Sequence, residues 1–221
     1  MYDEIVTISV GVGKAEKNFE IHKGLLCFYS NFFRAALKGG FAEANSKGFN
    51  LPTESPKIFQ LFKNWLYTRK FQSGEQSDAQ YLDTRTICDI WLFADRREIP
   101  LLMNIAVNLF KKNILAKWCL PVKLVPYIYE NTTDGSKLRY FIVDTFAYLW
   151  DESARQNIDL EFGEDAILDI ARTLMARPPL LDKEGYQAKD NCVYHVHEKG
   201  VRCNRELNTL VAKLHTALQQ E

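Results

Sequence analysis

The chain has 221 residues, 47% hydrophobic and 25% charged, the balance of an ordinary globular protein with one large domain or two small ones. Lysine plus arginine equals aspartate plus glutamate at 28 each. It therefore lacks the basic excess that phosphate neutralisation asks of a nucleic-acid binder, and the pairs Arg96-Arg97 and Lys111-Lys112 read as solvated helix faces. The start, Met1-Tyr2-Asp3-Glu4, is acidic where a secretion signal is basic, and no apolar run is long enough to span a bilayer. Five scattered cysteines, an odd number, point to free thiols in a reducing compartment, cytoplasm or nucleus.

Val6, Ile8 and Val10 alternate with Thr7 and Ser9, the period of a half-buried strand. Gly11-Val12-Gly13 turns the chain, and Phe19 and Ile21 restart the alternation, so a hairpin is predicted. A helix follows over 22–28. Ser30 caps a second helix carrying Phe33, Ala36 and Leu37, which Gly39-Gly40 ends. Phe49 and Leu51 make a short third strand stopped by Pro52. Pro56 then opens a helix whose Ile58, Phe59, Phe62, Trp65 and Leu66 share one face. Residues 72–80 are polar and read as a surface loop. Two amphipathic helices, 82–97 and 100–115, are separated at Ile99-Pro100. Beyond residue 116 the strand signals stop, and helices are predicted over 122–130, 137–149 and 164–176. Pro178-Pro179 and the polar stretch 182–185 read as a boundary. The last helix, 205–219, places Leu207, Leu210, Val211, Leu214 and Leu218 on one face, more naturally packed within the chain than offered to a partner.

The residues in this order carry a resemblance. Phe19-Glu20-Ile21-His22-Lys23-Gly24-Leu25-Leu26 resembles the second-strand signature of BTB/POZ domains. Ser30-Asn31-Phe32-Phe33-Arg34-Ala35 is similar to the helix that follows in them, and Trp65-Leu66-Tyr67-Thr68 to the end of their third helix. Ala94-Asp95 with Ile99-Pro100-Leu101 is similar to the joint between the last two helices. The wording is most similar to fungal-type members. Two departures stand out: Ile5 takes the place of the usual Asp before Val6-Thr7, and the sequence before residue 5 resembles the short form, in which the strand-exchanged dimer is not expected.

The resemblance implies an α/β (α+β) fold, a small three-stranded sheet flanked by helices, over residues 1–116. A helical extension follows over 117–183, then a Cys/His turn and terminal helix over 184–221. It also implies a non-catalytic protein–protein interaction module that associates with itself or with other proteins. Phe28, Tyr29, Phe32 and Phe41, around the first helix pair, are the candidate contact residues, although each is more naturally a core residue. Two other roles are compatible with it. One is a substrate adaptor for a cullin-based ubiquitin ligase, for which Tyr81-Leu82-Asp83 and Ile87-Cys88-Asp89 fit the hydrophobic-x-acidic pattern loosely. The other is a transcriptional regulator acting through partners. No nucleic-acid, membrane or small-molecule partner is expected.

Catalytic alternatives fail on spacing. His22 and Cys27 are five residues apart, about 140° around a helix, so they do not share a face for a nucleophilic dyad; in the family the matching histidine is structural. Gly13-Lys14 lacks the earlier glycine and the following Ser or Thr of a phosphate-binding loop, with Ile8 and Ala15 in those places.

One feature lies outside the resemblance. Cys192, His195, His197 and Cys203 fall within twelve residues of a chain with 5 Cys and 4 His. Four N/S ligands suit a structural zinc ion, and a site closed by four protein ligands has no open position for catalysis. The plain alternative is two surface histidines on a strand and two buried thiols.

Overall fold

The computed structural model of the protein describes residues 4–38, 48–71, 82–119, 121–149, 162–176 and 181–197. Strand β1 (Ile5–Val10) pairs antiparallel with β2 (Lys17–His22), placing Val6 opposite Ile21 and Ile8 opposite Phe19. These apolar residues all face inward, as alternation requires once one side of the sheet is covered. Strand β3 (Gly48–Leu51) lies parallel on the other side of β1, giving the order β2-β1-β3. The turn between β1 and β2 depends on Gly11, whose φ is +86° and whose missing Cβ would stand 3.1 Å from Pro56 Cγ.

Helices α1 (Lys23–Tyr29) and α2 (Asn31–Lys38) form a tight elbow. Ser30 Oγ accepts from the Phe33 backbone N–H at 3.0 Å and donates to the Arg97 carbonyl at 2.5 Å. The predicted cap thus also fastens the elbow to a distant helix. Helix α3 (Pro56–Thr68) begins at its proline and buries Phe59, Phe62, Trp65 and Leu66. Phe33 stacks on Phe62 at 6.4 Å, and Phe59 and Phe62 meet Phe93 at 5.9 and 5.1 Å, so the sheet and three helices share one aromatic core.

Helices α4 (Thr84–Arg96) and α5 (Pro100–Lys117) are an antiparallel pair. The joint closes with Arg97 N–H on the Phe93 carbonyl and Ile99 N–H on the Ala94 carbonyl, with Glu98 left-handed at φ 50°. Beyond them come α6 (Val125–Glu130), α7 (Lys137–Leu149), α8 (Glu164–Met175) and the short α9 (Lys183–Ala188). A short helix starts within the stretch 182–185: Asp182 accepts from the Gly185 N–H at 2.8 Å, as an N-cap does. One connected cluster of buried residues runs from Val6 to Tyr194. The expected loop 72–80 and terminal helix 205–219 lie outside the described residues. Among those described, no helix is long and apolar enough to cross a membrane.

Candidate interaction surface

The first helix pair distributes its aromatic residues by depth. Tyr29 is buried, its ring edge-on to Trp65 at 5.5 Å, and the Arg69 guanidinium lies over both rings at 4.2 and 4.5 Å while donating to the Tyr29 hydroxyl. Burial pulls the Arg69 pKa down to about 10. Phe32 is half-buried against Phe33 and Phe49, with Arg97 over its outer face at 4.5 Å. Phe28 is 52% exposed and meets Tyr29 edge-on at 4.7 Å. Arg34 Nε donates to the Cys27 carbonyl at 2.8 Å and its Nη2 to the Phe28 carbonyl at 3.4 Å. That grip on the last turn of α1 holds Phe28 outward on a rigid base. Of the three candidates within the described residues, Phe28 is exposed, Phe32 is half-buried and Tyr29 is buried; Phe41 lies outside the described residues.

Beneath this surface sits an ion cluster that sequence reading missed. The Glu54 carboxylate, 1% exposed, accepts from Arg96 at 3.0 and 2.9 Å and from Arg97 at 2.8 Å. Burial alone would raise the Glu54 pKa, but the hydrogen bonds and charge of Arg96, with those of Arg97, outweigh it and hold the carboxyl below its ordinary range. Arg96-Arg97 is therefore half solvated face and half buried anchor.

Lys111 departs further from a solvated face. It is 5% exposed, and its ammonium donates to the carbonyls of Gln187 at 3.3 Å and Lys189 at 2.5 Å. Burial and the nearby Lys189 charge lower its pKa. One stripe of α5, Asn104, Asn108 and Lys111, reads the backbone and side chains of residues 187–196. Asn104 makes a two-way bridge to Val196, Oδ1 accepting from its N–H at 2.7 Å and Nδ2 donating to its carbonyl at 3.1 Å. Asn108 Oδ1 accepts from Asn191 Nδ2 at 2.8 Å and lies 3.1 Å from His195 Nε2.

Of the proposed metal ligands, Cys192 opens a 3-10 turn, so the local backbone is not the strand of the plain alternative. Cys192 Sγ and His197 Nε2 are 3.5 Å apart, and the rings of His195 and His197 have centroids 5.9 Å apart. Burial, then the neighbouring His197, lowers the His195 pKa. Cys203 lies outside the described residues, and among those described no three Cys, His, Asp or Glu side chains gather around one point.

His22, Cys27 and Ser30 have separate partners. His22 Nδ1 and the Tyr67 hydroxyl are hydrogen-bonded at 2.7 Å, and that oxygen accepts from the His22 backbone N–H at 3.1 Å. Two of the signature motifs thus meet through a structural bond. Cys27 Sγ points to the Phe33 carbonyl at 3.9 Å, and Ser30 caps α2. The acid-containing triplets are also committed: Asp83 caps α4 through the Thr86 N–H at 2.7 Å, and Asp89 accepts from Arg85 at 3.2 Å and Tyr127 at 2.8 Å above a fully buried Ile87 and Cys88. In the extension, a groove of about 670 Å³ between α7 and α8 is edged by Tyr140, Leu168, Asp169 and Arg172.

The described residues thus form a three-stranded sheet flanked by helices, with Phe28 exposed at the elbow of the first helix pair. Residues 2–102 match the BTB/POZ domain model, so this part of the chain carries a BTB/POZ domain. It is 22% identical over 134 residues to Kelch-like protein 40b of Danio rerio, covering 61% of this chain and 20% of that one. It is 21% identical over 154 residues to Kelch-like protein 40 of Xenopus laevis, covering 70% and 23%. The second match is longer than residues 2–102 can supply, so it takes in helices beyond the domain. The chain spans about a fifth of the length of these relatives, covering 20% to 23% of each.

Proposed function

We propose that the chain is a non-catalytic association module, cytoplasmic or nuclear, that binds a protein partner, a second copy of itself included, through the outer face of the α1–α2 elbow. The observation that carries this reading is Phe28, 52% exposed yet backed by Tyr29, which Trp65 and Arg69 hold in turn. A large aromatic fixed outward on a rigid base loses little conformational entropy on binding, which is the profile of an interface anchor. Phe28→Arg in the full chain should leave the fold intact and remove the association. Light scattering across a concentration series reads self-association, and affinity purification from cells with mass spectrometry reads other partners. An unchanged oligomeric state together with unchanged partner recovery refutes the assignment.

A second reading, adaptor for a cullin-type ubiquitin ligase, is favoured by the match to Kelch-like proteins that runs past the domain. The extension offers a surface for it at the groove beside Tyr140 and Leu168, 62% and 51% exposed. The triplet Ile87-Cys88-Asp89 does not support it, because its apolar members face the core. Calorimetric titration of the chain with a cullin N-terminal domain tests this reading directly, and Tyr140→Asp should abolish any binding found.

A further inference from the structure

Helix α8 spends little of its apolar content on the core. It buries only Ala166 and Ile170 while packing on α6 and α7, and Asp169 fixes it there by accepting from the Tyr129 hydroxyl at 2.9 Å. Ten large apolar side chains are exposed among the described residues. Four of them, Ile167, Leu168, Leu174 and Met175, sit on this one 12-residue helix and are 51%, 51%, 41% and 81% exposed. Single exposed apolar residues are ordinary, whereas a contiguous set marks an association surface.

At about 100° per residue the four fall within one third of the helix circumference. The exposed Ala171 lies at the centre of that stripe, about 120° around the helix from the buried pair. The stripe also reads the same from either end: Ile167-Leu168, then Ala171, then Leu174-Met175. A two-fold axis at Ala171 therefore lays the stripe of one copy antiparallel on that of another. One copy's Leu168 then meets the partner's Met175, its Ile167 meets the partner's Leu174, and Ala171 meets itself. A small side chain at the crossing lets the helix axes approach to about 8 Å, the close end of helix packing. Charge agrees with this direction. Glu164, Asp165 and Asp169 occupy the first half of α8 and Arg172 the second, so antiparallel pairing sets the acidic half beside the half that carries the arginine. Parallel pairing would set acid on acid.

We propose that the outer stripe of α8 is a self-association face, which pairs two copies of this chain about a two-fold axis at Ala171. Each copy offers the other the same patch, so the contact closes at a dimer and does not propagate. It covers on the order of 1,000 Å² over both copies, the low end for a specific interface, so the dimer is weak and depends on concentration. This face is separate from the elbow at Phe28. Leu168 also lines the groove between α7 and α8, so a protein docked in that groove competes with the dimer.

The test is sedimentation of the full chain carrying Phe28→Arg, which takes the elbow out of the measurement. A concentration series should show a monomer–dimer equilibrium. Adding Ala171→Glu sets two carboxylates against each other at the axis and should weaken the dimer at least about 100-fold. Because the position is exposed, the circular dichroism and the melting temperature of the dilute protein should not change. Oxidation with copper–phenanthroline and peptide mass spectrometry read the register. Ala171→Cys should link to its own copy, whereas Leu168→Cys, whose two copies stand about 9 Å apart along the helices, should not. A chain that stays monomeric throughout the series overturns the proposal and leaves the stripe to a different protein. A dimer that Ala171→Glu leaves intact, or equal linking at the two positions, overturns it as well.

Discussion

Replacing Glu54 by Gln keeps the shape of the side chain and removes the charge that organises Arg96 and Arg97. The carboxylate is 1% exposed and carries three charge-assisted hydrogen bonds of 2.8–3.0 Å. Its partners are unequal: Arg96 is 46% exposed and rehydrates, whereas Arg97 is 11% exposed with a buried Nε that has no partner among the described residues. Losing one member of a buried pair costs about 3–5 kcal/mol, and the hydration open to Arg96 places this case at the lower end, about 3 kcal/mol. For a chain of this length that is a fall in melting temperature of roughly 6–12 °C. The acid limb carries a second signature. Because the folded carboxyl titrates below its ordinary value of 4.5, its stabilisation is complete above that value and is lost as pH falls through the lower folded one. Glu54→Gln should flatten that part of the stability–pH curve. Urea melts at neutral pH and down through the acid range measure both effects, and adding Arg97→Met should recover most of the loss. A Glu54→Gln protein within about 0.5 kcal/mol of wild type, with an unchanged acid limb, refutes the anchor role.

Three further outcomes are expected. Phe33→Ala empties a fully buried site stacked on Phe62 and should cost about 3–5 kcal/mol in denaturant melts, whereas Phe28→Ala should stay within about 0.5 kcal/mol while weakening association. Ser30→Ala removes both the α2 cap and the bond to the Arg97 carbonyl; about 1–2 kcal/mol should be lost by the same measurement. Glu98→Gly relieves a left-handed residue at φ 50° and should raise stability by about 1 kcal/mol, read as a higher melting temperature.

Local signals carried most of the fold. Alternation at Val6, Ile8 and Val10, the Ser30 cap and the Pro56 start each depend on neighbours in sequence, and each element appears where those neighbours put it. The site was less legible. Phe28 and Tyr29 are adjacent and equally apolar, so nothing in their order says which is 52% exposed and which supports it. Lys111 looked solvated because its partners are carbonyls 76 and 78 residues away. The Asp182 cap was overlooked because the polar run around it resembles a loop as much as a helix start.

By itself the sequence determined the kind of domain, the order of its strands and helices, and the density of Cys and His near residue 192, because these depend on short-range periodicity, turn chemistry and residue type. The tertiary structure alone decided that Glu54 binds two arginines, that α5 grips the chain after α9, and that Cys192 and His197 stand 3.5 Å apart. Those outcomes follow from burial. Once a charge, an amide or a carbonyl leaves water, it must find a partner in space, and which residue is near enough is settled only when distant segments pack.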